Sequence, residues 1–386
     1  MNKIIALTLL LLCGGWIFGQ SQSSFVVQKW DIDSPDIESI AFVRFDSTRV
    51  SQSTVLEYKD FVVLLDLPAI ASSLRKEKNF ETETEFGRTF LSFIEEYYSK
   101  PIKLVVASHW HAHSISGIVP FLEKRVNFYI TPYNWSEALR DGVLPLDYPK
   151  ADYEEHIRFI DKDTVLLSES NFPIEVLYMD SIQYSGKPTK DYLVYYLPRI
   201  STLHASCKVL IKEIDHSKYA TVEYSDRLLD IQKVIREKHL KVDNVIRLYF
   251  SKSPDFVVPY RQIEDIIRNG KSWNEMIEYL VNMDLSRMQQ NQDSLLRYAI
   301  ETELHPNLLR LAVYECLKQE QFDKAVTMAQ ILCNYRPNNA FYINALGESY
   351  HRKGDHEVAM YYDELLKAMS NEYGIEQWKK NAMKSN

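Results

Sequence analysis

Cysteine is scarce, with four residues in 386, and one of them, Cys13, directly follows the first apolar stretch. The other three, Cys207, Cys316 and Cys333, make no disulfide framework, so buried apolar surface has to hold the chain together. A basic excess is also missing. The formal net charge is -8, which leaves no positive field to attract phosphates and excludes nucleic acid as the partner. Long apolar runs are absent as well: the stretch from Ile4 to Leu12 is too short to span a bilayer, and no second candidate follows it.

That first stretch reads as a targeting element. Lys3 supplies a positive start, an apolar run follows, and small or aromatic residues lead to Gly19, the layout of a secretory signal peptide cleaved after Gly19. Leu10-Leu11-Leu12-Cys13 offers a lipoprotein alternative with an acylated Cys13, but Leu12 is bulky where that processing wants a small side chain. The expected location is therefore the periplasm or outside the cell.

The mature chain is long enough for two domains, and 46% hydrophobic with 12% aromatic residues can fill their cores. The 25 tyrosines suit sugar or peptide contact surfaces and exported β-rich cores alike. From Phe25 to about Tyr260, short β-rich runs alternate with helical stretches. Ala41 to Phe45, Ser53 to Tyr58 and Phe61 to Asp66 read as consecutive strands, the last apolar enough to be buried on both faces, and Ile102 to Ala107 as another buried strand. Phe128 to Ile130, Ile174 to Tyr178, Tyr192 to Leu197, Lys208 to Ile211 and Asn244 to Tyr249 complete the strand pattern. Helical spacing marks Phe86 to Tyr98, a helix ending near Leu122, and Arg227 to Glu237. Strands opened by a meander and interleaved with helices predict an α+β sandwich over 20–260.

Beyond Tyr260 the strands stop, which places the boundary between Pro259 and Trp273, with a helical linker region over 261–305. Ala325 and Ala359 stand 34 residues apart, each followed by an apolar helix, and Glu320 and Gly354 precede them by the same five positions. Pro337, Gly347, Tyr350, Gly354 and Ala359 make the segment resemble tetratricopeptide repeats, although Val313 stands where the first unit would have its glycine. Two antiparallel helix pairs are expected over 306–368 within a C-terminal region of 306–386, and an ordinary pair of helical hairpins is the alternative. Cys316 and Cys333 fall on these helices, where small buried side chains fit, while export leaves a disulfide possible.

The chemistry concentrates at Ser108-His109-Trp110-His111-Ala112-His113-Ser114-Ile115-Ser116-Gly117. A His-x-His pair directly after a buried strand puts two imidazoles on one side of an extended loop, close enough for one metal ion. A hydrogen-bonded histidine cluster on the surface is the alternative.

This stretch resembles the signature of the metallo-β-lactamase superfamily, Thr-His-x-His-x-Asp-His-x-Gly-Gly. Phe61 to Pro68 is similar to the family strand that ends in an Asp at the core of the site, with Asp66 in that place. Leu197-Pro198 followed by Leu203-His204-Ala205-Ser206-Cys207 resembles, without a gap, the segment of the branch that uses a cysteine thiolate as zinc ligand. The resemblance implies a four-layer αβ/βα sandwich and a zinc site with His109, His111 and Cys207 as ligands. It is incomplete. His113 stands at the family's second-zinc Asp, and Ser114 replaces the next histidine. No histidine occurs between His156 and His204 or between His239 and His305, where the remaining ligands would align, near Pro188 and near Ser251 and Lys252.

One zinc ion held by His109, His111 or His113 with Cys207, or none, follows from that set, with His204 a further imidazole if its strand phase permits. Asp66 would orient a ligand or water, and His113 occupies the position that handles the proton. The functions expected are a zinc-dependent hydrolase of a small amide or ester, or a scaffold without catalysis that binds a peptide or protein through its helical repeats. Metal sensing or transport is a third use for such a cluster.

Overall fold

The computed structural model describes residues 25–45, 52–69, 80–140, 143–144, 151–181, 190–209, 223–247, 256–301 and 306–369. The expected signal peptide, Cys13, Pro188, Ser251 and Lys252 lie outside the described residues.

The first sheet has seven strands in chain order. β1 (Phe25–Trp30), β2 (Ile37–Phe45), β3 (Ser53–Tyr58) and β4 (Val62–Leu65) form an antiparallel meander. Helix α1 (Phe80–Tyr98) then crosses to β5 (Ile102–Val106), which runs parallel to β4. Short helices α2 (Ala112–Ile115) and α3 (Val119–Glu123) lead to β6 (Asn127–Ile130), and α4 (Pro132–Arg140) precedes β7 (Ile157–Phe159), both strands again parallel. The second sheet opens with β8 (Thr164–Leu166), β9 (Ile174–Ser181), β10 (Lys190–Leu197) and β11 (Thr202–Ser206) as antiparallel neighbours. After β12 (Glu223–Tyr224) and α5 (Arg227–Glu237), β13 (Asn244–Arg247) pairs parallel with β11, and β14 (Val257–Pro259) closes that edge. Helix α6 (Tyr260–Asn269) and β15 (Lys271–Ser272) follow, and β15 pairs with β12.

The period of two along each strand decides the layering. On β4, Val63 and Leu65 face Leu193, Tyr195 and Leu197 of β10 across the space between the sheets, while Val62 and Leu64 face Phe90 and Ile94 of α1 and Phe121 of α3. On β10, Val194 and Tyr196 pack under Leu228, Ile231 and Ile235 of α5. Helices therefore cover the outer face of each sheet, and the four layers are αβ/βα as the resemblance implied. Phe42 and Phe256 stack across the inner space with ring centroids 4.7 Å apart. Each such fully buried side chain stabilises the fold by roughly 1.5–3 kcal/mol.

One strand differs from its sequence reading. Of the strand expected over Lys208 to Ile211, Leu210 and Ile211 lie outside the described residues; Lys208 stands in a turn with Cys207, after a strand over Thr202–Ser206 whose last residue has φ 46. The tight turn through Pro198–Ile200 brings the chain back at once beside β10, so pairing starts at Thr202 and the apolar Lys208-Val209 segment begins too late to share it.

Helices α7 (Trp273–Asn282), α8 (Leu285–Gln290) and α9 (Gln292–Glu301) precede α10 (Pro306–Lys318), α11 (Phe322–Tyr335), α12 (Ala340–Lys353) and α13 (His356–Met369). Trp273, Leu280 and Met288 join Leu308, Ala312, Cys316, Ala329 and Leu346 in one core. Pro306 and Ala340, and likewise Phe322 and His356, begin successive pairs 34 positions apart, and the described part of 306–368 contains helices and no strand. Gly347 lets α12 approach α13, since a Cβ there would stand 3.1 Å from that of Tyr362. No helix among the described residues is long and apolar enough to cross a membrane.

Candidate metal centre

Strand β5 delivers the histidine loop. Ala107 N–H still donates to Tyr129 O of β6, and Asp66, just past β4 at φ 58, donates its N–H to Val106 O. The loop then leaves the sheet at Ser108 and is fixed from several sides. Leu193 N–H of β10 donates to Ser108 O at 3.0 Å. Asn134, wholly buried on α4, accepts from Trp110 N–H at 3.2 Å and donates to Thr131 Oγ1 at 2.7 Å and to Asp191 O at 2.5 Å. Gly117, at φ 79, ends the loop in backbone contact with Gly87 of α1.

Asp66 lies behind the histidines rather than among them. Its Oδ1 accepts from Ser108 N–H at 2.7 Å and its Oδ2 from the Ser108 hydroxyl at 2.9 Å. With its one proton committed to the carboxylate, Ser108 Oγ, 2.8 Å from His109 Nδ1, accepts from that nitrogen. The relay sets the tautomer: His109 carries its proton on Nδ1, and Nε2 presents a lone pair. Ser114 Oγ also reaches His109 Nδ1, at 3.1 Å.

At Nε2 the cluster assembles. His109 Nε2 is 2.9 Å from His111 Nδ1 and 3.5 Å from Cys207 Sγ, and one donor atom from each of His109, His111, His113 and Cys207 lies within 4.8 Å of the others. His113 Nε2 is buried without a hydrogen-bond partner. Tetrahedral zinc with bonds of about 2.0–2.3 Å sets its ligand atoms roughly 3.3–3.6 Å apart. Orphaned nitrogen, borderline imidazoles and a soft thiol therefore fit that ion with small side-chain rotations.

Burial sets the charges. It pushes the His109 and His111 imidazoles down to about 4, partly offset by attraction to Cys207, so both are neutral ligands at neutral pH. Burial alone would push the Cys207 thiol up, but its interaction with the His109, His111 and His113 imidazoles packed around the sulfur holds it well below the usual thiol range. Arg227 Nη1 donates to Cys207 O at 2.9 Å. Lys208, buried and lowered to about 7 by burial, stands 3.9 Å from Asp230 Oδ2 and 4.7 Å above the Tyr192 ring.

His204 stays out of the cluster. The phase of β11 points it between the sheets, where Nε2 lies 3.0 Å from Thr54 Oγ1 and its ring packs on Tyr195. Asn134, Ser108, Tyr192 and Arg227 were not singled out from sequence. Only Ser108, inside the histidine motif, carried a signal there.

No family model matches the sequence, and no curated relative does. Solved structures similar to this chain include metallo-β-lactamases. One from Pontibacter korlensis is 17% identical over 63% of this chain and 100% of its own, with a TM-score of 0.42. DIM-1 is 14% identical, covering 63% and 96%, at 0.42, and FIM-1 from Pseudomonas aeruginosa, in its mono-zinc form, is 13% identical, covering 63% and 87%, at 0.40.

Proposed function

We propose that the chain holds one zinc ion through His109, His111, His113 and Cys207 and is a zinc-dependent hydrolase of a small amide or ester. The convergence of four unlike-charged or neutral donors within 4.8 Å, three from one loop and the sulfur from the end of β11, carries the reading. Bound zinc would lower the pKa of a water molecule and polarise a carbonyl. Four protein donors close a tetrahedral site, so hydrolysis requires that one of them yield a position.

His113 is the donor suited to yield. It sits on a helix of only four residues and is half-buried, whereas His109 is buried and anchored on its far nitrogen by Ser108 and Ser114. Released, His113 Nε2 would be available to take a proton from water, and Asp66, acting through Ser108, would keep His109 Nε2 free to coordinate.

The test is metal analysis of protein purified without a histidine tag, comparing wild type, His111→Ala and Cys207→Ala. A panel of β-lactams and small esters is assayed before and after chelation. One zinc per wild-type chain, little in either variant, and chelator-sensitive turnover are expected. Equal metal in all three proteins ends the zinc reading.

One zinc without turnover of any panel member leaves a second reading, a binding module that works through its helices. Phe341, Met360 and Tyr361 support it: they lie on α12 and α13 with 61%, 58% and 63% of their surface exposed, apolar area that a partner could cover.

A further inference from the structure

We infer that Tyr192 is a positioning residue of this centre, donating a hydrogen bond from its phenol to the Cys207 thiolate while its ring holds the His109 imidazole. The inference rests on the zinc reading above and adds to it a partner for the sulfur.

Tyr192 lies near the start of β10, where the second sheet meets the histidine loop through the bond from Leu193 N–H to Ser108 O. Its side chain is 1% exposed. The ring stacks on His109 with centroids 4.9 Å apart and planes 30° from parallel. Its hydroxyl stands 3.6 Å from Cys207 Sγ and 3.4 Å from Ala205 O. Lys208 Nζ lies 4.7 Å from the same ring.

Chemistry fixes the direction of the phenol–sulfur bond. A coordinating cysteine is deprotonated, so the sulfur has no hydrogen to give and the phenol must donate. The carbonyl of Ala205 competes for that hydrogen as a neutral acceptor, and a charged acceptor forms the stronger bond. In its ammonium form, Lys208 beside the ring withdraws electron density from it, which strengthens the donor. Each well-fixed ligand then has its own support: Asp66 through Ser108 for His109, and Lys208 through Tyr192 for Cys207. Partners of this kind orient metal ligands and tune their basicity.

Cobalt substitution tests the assignment, because the thiolate-to-cobalt charge-transfer band reports on the sulfur directly. Tyr192→Phe keeps the stacked ring and removes the hydroxyl. It should still bind one cobalt per chain, with the band moved to longer wavelength and metal affinity about tenfold weaker at neutral pH. Tyr195→Phe is the control. That hydroxyl, on the opposite face of the same strand, is buried without a partner, and its loss should move neither quantity. Should Tyr192→Phe fail to fold, Lys208→Met leaves the phenol in place and should shift the band the same way by less. A wild-type band and wild-type affinity in Tyr192→Phe overturn the inference while the zinc reading stands. Wild-type protein that takes up no cobalt and no zinc overturns both.

Discussion

Adding one methyl group at Gly87 should loosen the metal centre from the far side of the first sheet. Gly87 lies within α1, and a Cβ there would stand 2.3 Å from Gly117 O, 2.7 Å from Gly117 Cα and 2.8 Å from Gly117 C. Ordinary contact begins near 3.4 Å, so the helix and the end of the histidine loop must part by about 1 Å in an interior with no slack. Overpacking of this kind costs roughly 1–3 kcal/mol, and backbone against backbone belongs at the upper end. Alanine in place of glycine inside a helix returns up to about 1 kcal/mol. The net expectation for Gly87→Ala is a loss of about 2 kcal/mol. Metal sites need their donors placed within about 0.2 Å, so a displaced loop should also weaken the proposed zinc binding at least tenfold, by about 1.4 kcal/mol or more. Urea unfolding and a zinc competition titration measure the two effects. A variant as stable as wild type or more so, with unchanged zinc affinity, would mean that α1 does not set the loop, and the packing argument would fail.

Two further outcomes are expected. Burial lowers His204 to about 4 against an ordinary 6.5, so the unfolded chain takes up a proton that the native state refuses; its contribution is full above pH 6.5 and is lost as pH falls toward 4, up to about 3 kcal/mol. His109 and His111 titrate in the same direction, and the acid slope of metal-free His204→Gln, followed by denaturant unfolding from pH 7 to 4.5, should be shallower than that of wild type by the share one histidine contributes; identical slopes would refute it. Asn134→Ala strands Trp110 N–H and Asp191 O without their partner and should cost about 2–3 kcal/mol together with a weaker zinc site, so wild-type stability and affinity would show that the clamp is idle.

Much of the sandwich was legible in the sequence because its signals are local. Ser53–Tyr58 is the strand expected, residue for residue, and Arg227–Glu237 is the helix expected. Short or polar elements escaped: β7, β8 and β14 have three residues each, too few for periodicity to show, β1 ends in the polar Gln28 and Lys29 before Trp30, and α4 mixes Pro, Asn and Ser with its apolar residues. Lys208 falls in a turn after β11 rather than at the start of a strand, because an apolar run does not say which partner it will meet.

The same division runs through the candidate site. Alternate histidines after a buried strand were visible in the chain itself, because a loop of known composition follows an element of known period. That Cys207 Sγ comes within 3.5 Å of His109 while His204, three residues earlier, turns away toward Thr54 was decided only by tertiary structure. The bulge and left-handed residue at Ser206 rotate the chain between those two side chains, and the packing of β10 against the loop brings Tyr192 and Asn134 into place around them. Local periodicity fixes which face a residue takes along its own element; which distant atoms meet there depends on how two sheets and their covering helices pack.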